Sequence, residues 1–171
     1  MKSKNSRTPV QARSAARLAA VQALYDAEIT GANADSLLKD FIDHRIGGRA
    51  LINNEDEGET EVDLASADPI LLAAVVRGAL ERAEQLDEVV ANALTGDWHV
   101  ERLESVLHAI LRAGAFELTA MPETPARVVI SEYVDVASAF YGGPEPGLVN
   151  AVLDRIARVV RAAELGADGR A

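Results

Sequence analysis

Five cations, Lys2, Lys4, Arg7, Arg13 and Arg17, fall within Met1–Tyr25, a stretch that holds no Asp or Glu. Guanidinium and ammonium groups gathered in this way are suited to phosphate, because each neutralised phosphate releases condensed counterions. Lys2, Lys4 and Arg7 would collect long-range attraction. Arg13 and Arg17, one helical turn apart, could hold two phosphates or a base edge. The same residues also read as a solvated start of a helix behind a loose tail, and composition alone leaves both readings open. Tyr25 could stack on an unpaired base or serve as a core ring on the same helix.

Other chemistry is thinly represented. His44, His99 and His108 have no second histidine or matched carboxylate at ligand spacing and read as surface or packing residues. No Walker-type glycine loop, HExxH or GxSxG is present. A stretch from Asn53 imitates a calcium loop at Glu55, Glu57 and Gly58 but places Leu64 where the bidentate Glu belongs, so it reads as a solvated charge run. With no cysteine there is no disulfide, thiolate nucleophile or Cys-based metal site, and a reducing cytoplasm is the expected home. No cofactor is expected. Neither a membrane span nor a signal peptide is expected either, since no run of about 18 apolar residues occurs and no h-region follows the basic start.

The net charge of −10 would ordinarily count against nucleic acid. Its distribution reverses that, because Asp26 and Glu28 leave +3 over the first thirty residues and −13 over the remainder.

The elements that must position these groups are helical. At 171 residues, 49% hydrophobic and only 4% aromatic, the chain is one domain in size and poor in strand formers. Thr8, Pro9 and Gln11 spell a capping box, opening a helix that runs to Gly31 with Val10, Leu18, Val21, Tyr25 and Ile29 on its apolar stripe. A second helix is expected over about 35–46. Residues 47–67 lose helical period and hold Glu55, Asp56, Glu57, Glu59, Glu61 and Asp63, which reads as a poorly ordered acidic loop. Asp68-Pro69 opens a single helix of about 25 residues ending at Thr95-Gly96. Further helices are expected over 103–120, from Thr124-Pro125 to Phe140, and from Leu148 onward, with a loose tail from Gly166. The expectation is a strand-free, all-α bundle of six to seven helices in two packed subdomains, 1–46 and 68–165.

Three stretches together resemble the NusB family of bacterial transcription antitermination factors. Val21-Gln22-Ala23-Leu24-Tyr25 is similar to the family's VQALY segment. Trp98, Arg102-Leu103 and the run Ala109-Ile110-Leu111-Arg112-Ala113-Gly114-Ala115-Phe116-Glu117-Leu118 are similar to its AILRxAxxEL helix. Pro125, Val129-Ile130-Ser131-Glu132, Phe140 and Leu148-Val149-Asn150-Ala151-Val152-Leu153-Asp154 are similar to its C-terminal pattern, so the likeness covers roughly residues 10–160.

The resemblance implies a two-subdomain RNA-binding protein that is not an enzyme. It implies pairing with the ribosomal protein NusE, binding of single-stranded boxA RNA from ribosomal RNA leaders, and membership of an RNA polymerase antitermination complex, and it is compatible with a homodimer. The implied RNA-binding set is Lys2, Lys4, Arg7, Arg13, Arg17 and Tyr25. Departures are visible. The family's arginine cluster stands here as Arg13-Ser14-Ala15-Ala16-Arg17, Leu107-His108 replaces Asp-Arg, Ser131 replaces Asn, Leu148 replaces Phe, and Pro144 sits in a loop that is often acidic. Two other readings stay open: a protein-only adaptor without RNA binding, and a stand-alone relative of the helical domain fused to some ribosomal RNA cytosine methyltransferases.

Overall fold

The computed structural model describes residues 8–41, 43, 49–54, 58–63 and 67–166, the two strands by their backbone alone. Helix α1, Pro9–Thr30, begins as its sequence dictates: the Thr8 hydroxyl accepts from the Gln11 N–H at 3.3 Å and the Gln11 side chain accepts from the Thr8 N–H at 3.0 Å. It ends at Gly31, whose φ of 71° is the left-handed conformation that a glycine adopts without a steric penalty. The apolar stripe, however, is wrong at both ends, because Val10 and Ile29 are exposed. Between Ala15 and Leu24 the helix is instead buried nearly all round, with α3 (Pro69–Glu81), α5 (Ser105–Ala120) and α6 (Ala126–Phe140) packed against it. Its many alanines, Ala15, Ala16, Ala19, Ala20 and Ala23, let those helices approach closely on several sides, so no single stripe describes it.

Helix α2, Ala34–Asp40, is capped by the Asn33 side chain, and the expected continuation to Ile46 lies largely outside the described residues. The expected acidic loop is corrected. Strands β1, Arg49–Asn54, and β2, Gly58–Asp63, form an antiparallel hairpin in which Ala50 faces Val62 and Ile52 faces Thr60, and β1 lies beside α6. The physical reason is legible afterwards: Glu59-Thr60-Glu61-Val62-Asp63 alternates with period two, its β-branched residues favour extended backbone, and ladder hydrogen bonds order a segment that has no helical apolar face. The acidic residues Glu55, Asp56 and Glu57 lie outside the described residues.

The expected long helix is two. Asp68 caps α3, Pro69–Glu81, through Oδ1 to the N–H groups of Ile70 and Leu71, and α4 runs Ala83–Ala93 after a break at Arg82, where φ is −110° and ψ 20°. The break sits beside a tight helix crossing. A Cβ at Gly78 would lie 2.1 Å from the Phe116 ring, and the Arg82 guanidinium covers that same ring at 5.7 Å from its centroid.

A 3-10 turn, Val100–Arg102, leads to α5, Ser105–Ala120, followed by α6, Ala126–Phe140, α7, Glu145–Val160, and α8, Ala162–Gly166. Thr124 does not cap α6. Its first free N–H, on Ala126, is taken by Glu164 Oε1 at 2.6 Å. Arg161 satisfies the other side of that corner, donating to the carbonyls of Glu117, Leu118, Met121 and Thr124. One guanidinium thus ties the last turn of α5 and the loop before α6 to the end of α7. Among the described residues the buried apolar side chains other than Ala27 and Leu37 form one contiguous cluster from Ala15 to Ala157, to which both α1 and α5 contribute heavily.

Candidate nucleic-acid interface

The two helical arginines of the N-terminal segment have opposite fates. Arg13 is exposed, while Arg17, one turn later, is only 2% exposed. Its Nε donates to Glu117 Oε2 and its Nη2 to Glu117 Oε1, both at 2.9 Å, in a two-point guanidinium–carboxylate fork. Tyr133 donates its hydroxyl to the same Glu117 Oε2 at 2.5 Å. Glu132 stands 3.8 Å from Arg17 Nη1 and accepts from the Ser14 hydroxyl at 2.8 Å. Helices α1, α5 and α6 are tied together at one buried polar node.

The electrostatics of the node are self-consistent. Burial opposes the Arg17 charge, but the hydrogen bonds and negative charge of Glu117 outweigh it and hold the guanidinium protonated above its ordinary value. Burial, together with the Glu117 carboxylate, pushes the Tyr133 hydroxyl well above the usual tyrosine value, so it stays a donor. No buried side-chain polar atom among the described residues lacks a partner. Arg17 as a phosphate ligand is therefore corrected: its guanidinium is forked onto Glu117 and its side chain is all but removed from solvent.

Of the other expected RNA-binding residues, Lys2, Lys4 and Arg7 lie outside the described residues. Tyr25 is half-buried, and at twelve residues beyond Arg13 it stands about 18 Å along the helix from it, so the two do not form one contact point. Sequence reasoning passed over Glu117, Glu132 and Tyr133 as chemistry. A signal was present, since Arg17 is the one charge within the run Ala15–Ala20 and Glu117 the one charge within Ala113–Leu118. Two lone opposite charges in two apolar runs suggest a buried pair.

A second polar cluster joins α4 to α5. Asp87 accepts from Arg112 Nε and Nη2 at 2.8 and 2.7 Å and lies 2.6 Å from His108 Nε2. Burial would raise the Asp87 pKa, but the hydrogen bonds and charges of Arg112 and His108 hold it below the ordinary carboxylate value. His108 thus has the carboxylate partner that its sequence neighbours did not reveal. Among the described residues no group of three or more His, Asp and Glu is placed to hold a metal ion, and no helix is long and apolar enough to cross a membrane.

This framework of α1, α5 and α6 is shared with known proteins. A family model described as the NusB family matches residues 14–158. The chain belongs to the NusB family. A transcription antitermination protein NusB from Rhodospirillum rubrum is 48% identical over 160 residues, covering 90% of this chain and 86% of that protein. Two crystal structures share the fold: NusB of T. maritima, with TM-score 0.68, 24% identity and coverage of 89% of this chain and 92% of that one, and antitermination factors NusB and NusE in complex with dsRNA, with TM-score 0.66, 22% identity and coverage of 87% and 98%. In this member of the NusB family the charged pair Arg17–Glu117 lies within the matched residues and joins α1 to α5.

Proposed function

We propose that this chain is an RNA-binding transcription antitermination factor without catalytic activity, working in the cytoplasm on nascent transcripts. It pairs with the ribosomal protein NusE, the pair takes the single-stranded boxA element of ribosomal RNA leaders, and the assembly joins RNA polymerase to suppress premature termination. The observation that carries this reading is the family match across residues 14–158, together with a relative of 48% identity that bears the antitermination name. The exposed Arg13 at the start of α1, in sequence with Lys2, Lys4 and Arg7, supports a phosphate-binding end of the molecule.

Charge sets the expected division of labour. With Arg17 withdrawn into the interior, few cations of the N-terminal segment remain to oppose a remainder of −13, so much of the phosphate contact falls to a basic second protein. The test is a titration of the full chain with boxA-like single-stranded RNA, with and without NusE. Weak binding alone and substantially tighter binding with the partner is the expected result. Equal affinity in the two conditions refutes the division of labour, and no RNA binding in either leaves a protein-only adaptor.

A further inference from the structure

Helices α6 and α7 leave an open groove of about 330 Å³ between them, lined by Arg127, Ile130, Ser131, Val134, Asp135, Asn150 and Asp154. Ile130 and Val134 provide its apolar floor. Asp154 is engaged by Arg158 at 2.8 Å. The Asp135 carboxylate, the Ser131 hydroxyl and the Asn150 amide, by contrast, have no side-chain hydrogen-bond or ion-pair partner among the described residues, although all three edge the same groove. All three are exposed, and surface polar groups usually meet water, but two from α6 and one from α7 beside an apolar floor match the pattern of a ligand groove.

We propose that this groove receives one unpaired guanine base of an RNA strand anchored at Arg13, an inference that rests on the RNA-binding reading above. The placement is geometric. Ser14, next to Arg13, donates to Glu132 of α6, and Ser131, which precedes Glu132, lines the groove that α6 forms with α7. Helix α6 packs against both α1 and α7, so a strand held by its phosphate at Arg13 is led to the groove across α6. Single-stranded RNA is read in this manner, by splayed bases stacked on a flat surface and hydrogen-bonded along their edges.

The donors and acceptors select the base. Guanine carries adjacent N1–H and N2–H donors, which an unpaired carboxylate such as Asp135 accepts as a pair, leaving the O6 acceptor for the Asn150 amide or the Ser131 hydroxyl. Uracil presents two carbonyl oxygens around its single N–H and would set them against Asp135.

The experiment uses the full chain with its ribosomal partner and a short boxA-like single-stranded RNA in which each guanine in turn is replaced by inosine, which lacks only the 2-amino group. At one position the replacement should weaken binding by roughly five- to a hundredfold, the range of a good two-point base contact. In the Asp135→Asn variant that sensitivity should vanish, while Asn150→Ala should weaken binding to guanine RNA and inosine RNA alike. Both changes are on the surface, and unchanged helix content would confirm intact folding. Equal inosine sensitivity in wild type and Asp135→Asn, or no sensitive position in an RNA that does bind, overturns the guanine site without touching the RNA-binding reading. Weaker binding of the protein partner by Asp135→Asn, with RNA discrimination unchanged, would also overturn it, in favour of a basic side chain as the occupant. Loss of all RNA binding by wild type would sink the underlying reading instead.

Discussion

Two guanidinium–carboxylate forks of nearly the same geometry hold this molecule together, and their surroundings make them different objects. Arg17 and Glu117 meet at 2.9 Å with side chains 2% and 0% exposed, whereas Arg112 and Asp87 meet at 2.7 Å with side chains 17% and 29% exposed. In the interior, neither charge can fall back on water, so removing one partner leaves the other stranded. On the α4–α5 surface, water replaces whatever is removed. Distance alone therefore says little about how much a charged contact matters; the fate of the remaining partner decides it.

The sharpest way to break the comparison is Glu117→Gln. It strips the counter-charge from a buried arginine that retains only Glu132 at 3.8 Å, and should cost about 3–5 kcal/mol in chemical unfolding. That is a large part of the roughly 5–15 kcal/mol that holds a domain folded. Replacing all three members of the node by apolar residues, Arg17→Met with Glu117→Leu and Tyr133→Phe, should recover most of the loss, because neither a stranded charge nor an unpaired buried hydroxyl remains. A triple variant as unstable as Glu117→Gln would show that the node contributes attraction beyond its own desolvation.

A smaller effect is expected at the surface fork. Asp87→Asn should cost about 1 kcal/mol, discounted for solvent screening. Its signature is in the pH dependence. The Asp87 carboxyl is held below its ordinary value, so its contribution is fully present above about pH 4, its value in the unfolded chain, and is lost as pH falls through the folded value below that. The stability difference between wild type and Asp87→Asn should therefore shrink as urea unfolding is followed downward through pH about 4 to about 2. A difference that stays constant over this range would mean that Asp87 acts by packing rather than by charge.

The smallest structural effect belongs to Arg13→Glu, expected within about 0.5 kcal/mol of wild type because the residue is exposed and both side chains suit a helix. Its effect should appear in RNA binding, as weaker affinity at moderate salt with a salt slope flattened by about 0.7 for each phosphate that is no longer neutralised. Arg17→Glu, one turn away, should unfold the protein, since it would place a third carboxylate beside Glu117 and Glu132. An Arg17→Glu variant that folds and merely loses RNA affinity would overturn the distinction between the two arginines.

Much of this was written in the sequence, where the information is local. The Thr8–Gln11 capping box, the Asp68 cap and the Gly31 stop depend on residues within a few positions of one another, and each is where its local signal placed it; α5, α6 and α7 lie within a few residues of their expected bounds, although α7 starts at Glu145 rather than Leu148 and Thr124 does not cap α6. The motif order likewise identified the family, because order and spacing are properties of the chain. What only the tertiary structure decided is what each residue meets across the fold. Arg13 and Arg17 share a residue type and nearly the same side of α1, yet Glu117, one hundred positions from Arg17, claims only the second. The break at Arg82 stands beside the Gly78–Phe116 crossing, and the strand pairing of residues 49–63 lies beside α6. Periodicity reports that a side of a helix is apolar or charged; burial and partner choice depend on contacts between distant segments, and these exist only once the helices have packed.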